Sequence, residues 1–303
     1  MTHDLIPSWR PGATRRALLE FLDSSGEVSP SERVAVFDND GTLWCEMPQY
    51  IQLGFFIAEL AAAVQQRPEL SQRPEYAALL TSDHAAMSEL GLPRIGFALV
   101  ELFEGIGPEE FDTRVRRYFA DARHPDRKVP LTNMRYGPML ELLYELRARQ
   151  FSVFVVTGGG TEFVRAIADQ LYEVPPEAIV GSQVGYEFAR IDGRPALRRT
   201  SELFGEVNEG EAKISNIRRI AGRRPILAAG NSPGDSEMLE YAMAGDGPTL
   251  ALLVDHDDDK REYAYRSEAG SFESDESITD VAVRLGWTVV SMRDDWSRIF
   301  VDQ

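Results

Sequence analysis

The stretch Val34-Ala35-Val36-Phe37-Asp38-Asn39-Asp40-Gly41-Thr42 constrains the fold more than any other. Four apolar residues run without a polar break, as in a strand buried on both faces of a parallel sheet. The run ends in two aspartates, a glycine and a threonine. Open α/β sheets take their ligands just beyond the carboxyl ends of their strands, so Asp38 and Asp40 stand where a site would form. Two carboxylates at i and i+2 crowd each other unless a cation stabilises them. Mg²⁺, which prefers oxygen ligands and often accompanies phosphate, is the natural candidate. Gly41 lets the backbone turn sharply and approach a ligand. An ordinary strand closing in an Asp-Gly turn shares this local pattern, so the rest of the chain must decide.

Two more apolar runs end in polar, glycine-containing turns. Phe151 to Val156 reads as a buried strand ending in Thr157-Gly158-Gly159-Gly160-Thr161, with a helix from Phe163 to Leu171 behind it. A hydroxyl, a glycine run and a helix start would aim backbone N–H groups at an anion. Pro225 to Ala229 reads as another strand, ending in Gly230-Asn231-Ser232-Pro233-Gly234-Asp235. Between them, Gly210-Glu211-Ala212-Lys213 opens a helix carrying Ile214, Ile217 and Ile220, which places Lys213 in its first turn. Ala178 to Gly181 and Thr249 to Val254 supply further short strands. Asp192-Gly193 marks a hairpin between Val184–Ile191 and Ala196–Thr200. A helix at Ile278 to Leu285, a strand at Trp287 to Ser291 and a docked tail close the chain. Near its start, Trp9 to Leu22 has helical spacing.

The stretch from about Tyr50 to about Arg135 differs from its surroundings. Leu53, Phe56, Ile57 and Leu60 recur at three- and four-residue steps, and Phe97–Phe103 and Phe111–Phe119 are amphipathic. Pro68, Pro74, Pro93, Pro108 and Pro125 punctuate it. An all-α insert is expected at 50–135, interrupting a core built from 1–49 and 136–303.

Taken in order, these pieces resemble the four motifs of the haloacid dehalogenase superfamily. Asp38-x-Asp40-Gly-Thr matches the first, Thr157-Gly158-Gly159 the second, Lys213 the third, and Gly230 through Asp235 with Met238-Leu239 the fourth. A helical insert after the first motif resembles the cap of phosphoserine phosphatase-like members. The resemblance implies a Rossmann-like, doubly wound parallel sheet with an inserted helical cap. It also implies an Mg²⁺-dependent phosphatase acting on a small phosphomonoester. Asp38 would be the nucleophile, and Asp40 the general acid and base, whose backbone carbonyl also ligates Mg²⁺. Thr157, Gly158, Gly159 and Lys213 would hold phosphate. The metal set would be Asp38, Asp40, Asn231 and Asp235. The fourth motif departs from the family: Asn231 stands where an aspartate is usual, and Gly234 where an asparagine is. Glu46, beside the first motif, is a candidate substrate contact. A dehalogenase branch also uses an aspartate nucleophile but lacks the second aspartate, so Asp40 favours phosphoester hydrolysis. A phosphonatase needs a cap lysine, and Lys128 is the insert's only one. A binding protein that kept the fold without turnover is the rival from another class, on the strength of Asn231 and Gly234.

Charge and composition narrow the partners. A formal net charge of −17 argues against nucleic acid and anionic membranes, and obliges a phosphate site to carry its own cation. No run approaches the roughly 20 apolar residues of a membrane span. The N-terminus lacks a secretory pattern, and the one cysteine, Cys45, cannot form an intrachain disulfide. A soluble, cytoplasmic protein is expected, with Cys45 buried rather than reactive. The run Asp255-His256-Asp257-Asp258-Asp259 reads as a solvated acidic stretch.

Overall fold

β1 (Val34–Phe37) lies inside a six-stranded parallel sheet in the computed structural model, which describes residues 5–268 and 276–301. The other strands are β2 (Ser152–Gly160), β3 (Ile179–Ser182), β6 (Leu227–Gly230), β7 (Leu250–Asp255) and β8 (Thr288–Ser291), in the order β3-β2-β1-β6-β7-β8. β4 (Val184–Ile191) and β5 (Arg194–Leu203) form a separate antiparallel ribbon. From β1 the chain builds outward through β2 and β3, then returns to β1's other edge to build β6, β7 and β8. Phe37 is paired with Val155 on one side and Ala229 on the other. The sheet order therefore reverses beside β1, and such a reversal opens a crevice at the strands' carboxyl ends. Asp38 continues β1 into that crevice, its N–H donating to the Ala229 carbonyl at 2.8 Å.

Both faces of the sheet are covered, for a reason visible in β1. Successive strand residues point to opposite faces. Ala35 and Phe37 enter one apolar cluster with Leu18 and Phe21 of α1 (Ala13–Ser24) and Leu142 and Leu146 of α7 (Gly137–Ala148). Val34 and Val36 enter another with Ile217 of α9 (Glu211–Ala221), Met238 and Leu239 of α10 (Ser236–Met243) and Ala282 of α11 (Ile278–Leu285). α8 (Thr161–Tyr172) follows β2, and α12 (Met292–Asp295) follows β8. The chain is thus a doubly wound α/β fold. The N-terminal helix starts at Ala13, directly behind Pro11-Gly12, and runs past Leu22 to Ser24, while Trp9 lies ahead of it, packs edge-on against Trp296 and donates Nε1 to the Pro138 carbonyl.

The inserted cap is helical: α2 (Ile51–Gln66), α3 (Pro74–Thr81), α4 (His84–Leu90), α5 (Leu92–Glu101) and α6 (Pro108–Asp121). Prolines occupy the first turns of α3, α5 and α6, where their missing N–H costs nothing. Leu60, Tyr76, Leu79, Ile95 and Leu99 form a small core of the insert's own. The β4–β5 ribbon, encoded far downstream, completes this region. Gly105 donates to the Arg199 carbonyl at 2.8 Å, and Arg199 to that of Ile106 at 2.9 Å. The Arg199 guanidinium lies 4.1 Å from the centroid of the Phe111 ring of α6. Periodicity reveals a hairpin but not the surface on which it docks. Among the described residues, no helix is long and apolar enough to cross a membrane.

Candidate active site

The crevice beside β1 is built around one buried lysine. α9 is capped by Gly210, whose positive φ of 57° turns the chain into the helix and whose N–H donates to the Gly234 carbonyl at 2.9 Å. That bond holds the first turn of α9 against the turn after β6. Lys213, 2% exposed, reaches from there to Asp38 Oδ1 at 2.7 Å and to Asp235 Oδ1 at 2.5 Å. Burial alone would pull the ammonium's pKa down, but Asp235 and Asp38 outweigh it and hold the group above its ordinary value. Burial, then the charge of Asp235, push the Asp38 carboxyl well up, while Lys213 opposes them. Asp40 is pushed up mainly by burial. Its Oδ1 accepts from Trp44 Nε1 at 2.8 Å, and the Trp44 ring stacks on Phe119 of the insert with centroids 5.7 Å apart. The candidate acid is thereby tied to the cap.

Asp235 differs from its expected role as a metal ligand. Its Oδ1 is engaged by Lys213, and its Oδ2 accepts from the N–H groups of Asn231 and Ser232 at 3.0 and 3.1 Å and from Ser232 Oγ at 3.2 Å. With both oxygens committed and no exposure at all, Asp235 braces Lys213 and the turn rather than facing a cation. Asn231 does face the crevice. Its Oδ1 accepts from Thr42 Oγ1 at 3.3 Å, and its Nδ2 donates to Glu46 Oε1 at 3.1 Å. Burial pushes the Glu46 carboxyl up to about 7, with Tyr265 and His256 opposing.

Among the described residues, no three acidic, histidine or cysteine side chains converge in the manner of a metal cage. The donor set nevertheless fits a hard cation that keeps several waters. Mg²⁺ is commonly bound through one or two carboxylates plus substrate phosphate. Here Lys213 takes Oδ1 of Asp38 and not Oδ2, and Asn231 contributes an oxygen from the neighbouring strand end. The carboxylates of Asp38, Asp40, Glu46 and Asp235 share this region with Lys213, which contacts Asp38 and Asp235, so a divalent cation would add charge that complements the set.

The second motif departs from its expected shape. β2 runs on through Gly160, with an irregular register against β3 between Val156 and Gly160, and α8 starts directly at Thr161. Gly159 donates its N–H to Thr157 Oγ1 at 3.0 Å, and Gly160 donates to Gln52 Oε1 of α2 at 2.9 Å. Glu209 lies against Gly158, so close that a Cβ there would sit 2.6 Å from its Oε1. A phosphate group at Gly158 would require this flexible side chain to swing aside. Asn208, wholly buried, donates Nδ2 to the carbonyls of Thr157 and Val180 at 2.9 and 3.1 Å. Ser182 Oγ donates to the Gly158 carbonyl at 2.7 Å. Neither Asn208, Ser182 nor Gln52 has a signal in one sequence, because each acts by reaching a distant backbone atom.

The acidic run is a further correction. His256 and Asp258 are 2% and 3% exposed rather than solvated. His256 Nε2 faces the Gly41 carbonyl at 2.9 Å and Nδ1 faces Glu262 Oε2 at 3.3 Å. Asp258 accepts from the backbone N–H groups of Lys260 and Arg261 and from Arg261 Nε. A run of acids is usually solvated because burial strips its hydration; here local N–H donors and Arg261 replace that hydration. Glu262 also accepts from Cys45 Sγ at 3.0 Å and Tyr136 OH at 2.9 Å. Burial, with Glu262, pushes the Cys45 thiol far up, and the side chain has no exposure to solvent. Lys128 donates Nζ to the Pro125 carbonyl in its own exposed turn.

The match that decides the family extends over most of this framework: the model for haloacid dehalogenase-like hydrolases matches residues 35–240. The chain belongs to that family. No curated protein matches it. Among solved structures, a protein of unknown function from Bordetella pertussis Tohama I aligns with 86% of this chain and 98% of its own, at 15% identity and a TM-score of 0.52. A conserved functionally unknown protein from Anaerococcus prevotii DSM 20548 aligns with 84% of this chain and 88% of its own, at 14% identity and a TM-score of 0.57. A probable phosphoserine phosphatase from Vibrio cholerae aligns at 15% identity over 87% of this chain and 67% of its own, with a TM-score of 0.42, too distant to bear on substrate. These likenesses are of fold. For this haloacid dehalogenase-like hydrolase, chemistry must be argued from its own crevice.

Gly41 shows how tightly that crevice is built. Its φ is +71°, and a Cβ there would fall 2.0 Å from Asn231 Nδ2 and 2.9 Å from Glu46 Oε1. Gly41→Ala is therefore expected to cost roughly 1–3 kcal/mol from backbone strain alone and to displace the Asn231 amide. Urea unfolding of the variant measures the first effect, and loss of turnover reports the second.

Proposed function

We propose that this hydrolase is an Mg²⁺-dependent phosphatase that cleaves a small phosphomonoester through an aspartyl-phosphate on Asp38. The observation that carries the reading is Lys213 buried between Asp38 and Asp235 at the sheet's switch point, with Asp40 two residues beyond. Asp38 Oδ2, the oxygen that Lys213 does not bind, attacks phosphorus. Lys213 holds Asp38 in place and offers positive charge where the phosphoryl oxygens gather, in a buried setting where preorganised donors act strongly. Thr157 and, once the Glu209 side chain has swung aside, the Gly158 N–H would hold the same oxygens. Asp40, with its carboxyl pushed up by burial, carries the proton that the leaving alcohol needs. It then takes a proton from the water that attacks the aspartyl-phosphate. Such general acid–base help is worth roughly 10²–10⁴-fold. The cation, held by Asp38, the Asp40 carbonyl and Asn231, would neutralise and orient the phosphate. The helical insert and the ribbon bound to it exclude water during the first step. We assign the insert to residues 50–135 and the core to 1–49 and 136–303, with the ribbon at 184–203 serving the cap. A substrate of metabolite size, rather than nucleic acid or membrane, suits the chain's acidity, and a cytoplasmic location suits its single buried thiol.

The test is phosphate release from p-nitrophenyl phosphate and a panel of phosphorylated metabolites. Release that depends on Mg²⁺ and disappears with EDTA is expected. A homogeneous, folded sample with no activity on any of these substrates would refute the proposal.

A further inference from the structure

The departure at Asn231 poses a problem that the geometry resolves. An amide brings no charge, and either its oxygen or its nitrogen could face a cation; only the oxygen can bind one. What fixes the orientation is Glu46. Its Oε1 already accepts from Tyr265 OH at 2.7 Å, so the edge of Asn231 within 3.1 Å of that oxygen must be Nδ2, which turns Oδ1 to the other side, where Thr42 Oγ1 lies at 3.3 Å. Ser267 Oγ, 3.4 Å from the same Nδ2, is compatible with that orientation. Glu46 is itself held rather than mobile. Tyr265 OH donates to its Oε1 at 2.7 Å, the Tyr265 ring stacks on His256 at 4.4 Å, and His256 Nε2 faces the Gly41 carbonyl at 2.9 Å. Gly41 makes the approach possible by having no side chain between Asn231 and Glu46.

We propose that Glu46 is a positioning residue for the divalent cation. Its carboxylate orients the Asn231 amide, presenting Oδ1 to the cation, and returns from the first-motif loop the negative charge missing at the end of β6. The inference rests on the phosphatase reading of this site and deepens it. It assigns Glu46 to the cation rather than to the substrate contact expected from sequence. Carboxylates that orient a metal ligand through its other polar atom typically change affinity 10–100-fold when removed.

The experiment is Mn²⁺ binding to the substrate-free full chain, followed by electron paramagnetic resonance at constant pH with Mg²⁺ as competitor. Mn²⁺ serves as the probe because it shares the preference for octahedral oxygen ligands. Four proteins are compared: wild type, Glu46→Gln, Asn231→Asp and the double variant. Glu46→Gln is expected to weaken Mn²⁺ about 10–100-fold while leaving KM for p-nitrophenyl phosphate at saturating Mg²⁺ unchanged. Asn231→Asp alone sets a second carboxylate against Glu46 and is not expected to improve binding. The double variant, with charge moved from one residue to the other, is expected to recover wild-type affinity. Should Glu46→Gln not fold, Tyr265→Phe, which removes one donor from the Glu46 carboxylate, is expected to weaken Mn²⁺ in the same direction. If Glu46→Gln leaves Mn²⁺ binding unchanged, or the double variant is as weak as Glu46→Gln, the proposal is wrong. A rise in KM without a change in Mn²⁺ affinity would return Glu46 to the substrate. A wild type that neither binds Mn²⁺ nor releases phosphate would instead overturn the phosphatase reading itself.

Discussion

Asp38→Asn is expected to abolish turnover while leaving the fold intact. An amide cannot attack phosphorus, the Cys45 thiol is buried against Glu262, and Asp40 is held by Trp44. Removing a nucleophile that works as one unit with its neighbours typically costs roughly 10⁶-fold, so residual activity should fall to background. The fold should survive because the asparagine oxygen can still accept from Lys213, and the backbone bond from residue 38 to Ala229 is untouched. Steady-state phosphate release and circular dichroism on the same sample check both halves. Near wild-type turnover by a homogeneous variant would rule out Asp38 as nucleophile.

Lys213→Met carries the largest expected effect on stability. Lys213 joins two carboxylates that are 7% and 0% exposed, and the substitution leaves them facing each other without a counter-charge. Breaking a buried pair by removing one partner typically costs about 3–5 kcal/mol, mostly from the stranded charge. Here two charges are stranded, although Asp38, already pushed up, can take a proton and offset part of the cost. Urea unfolding with EDTA present isolates this effect from cation binding. Activity should vanish as well, since the phosphoryl oxygens lose their fixed cation. A variant as stable as the wild type would show that Asp38 and Asp235 are not both negatively charged in the folded protein.

The sequence reveals the parts of this molecule that depend on local pattern. The buried run before Asp38 reads as a central parallel strand because both its faces are covered, and the order of strand ends locates the crevice. Lys213 is legible only by its order among those strand ends, since a lysine in a first helical turn is otherwise an ordinary surface residue. What escapes is whatever depends on long reach. Asn208 acts through the carbonyls of Thr157 and Val180, Gln52 through the N–H of Gly160, and Tyr172 OH through Asn39 Oδ1 at 2.9 Å. Asp235 sits where a metal ligand was expected, but spacing alone does not show that Lys213 and the turn's own N–H groups take both its oxygens. The run Asp255 to Asp259 misleads for the same reason: its composition is that of a solvated segment, while Glu262, Arg261 and the Gly41 carbonyl draw His256 and Asp258 inside.

The most direct measurement on the central claim is chemical trapping of the covalent intermediate. The enzyme is acid-quenched during turnover of p-nitrophenyl phosphate with Mg²⁺, treated with borohydride, and its peptides are read by mass spectrometry. An acyl phosphate on Asp38 is reduced at the carboxyl carbon, so residue 38 should be recovered as homoserine, and only when substrate was present. Sustained turnover with residue 38 recovered solely as unmodified aspartate, or with the reduced product at another acid, would contradict the account.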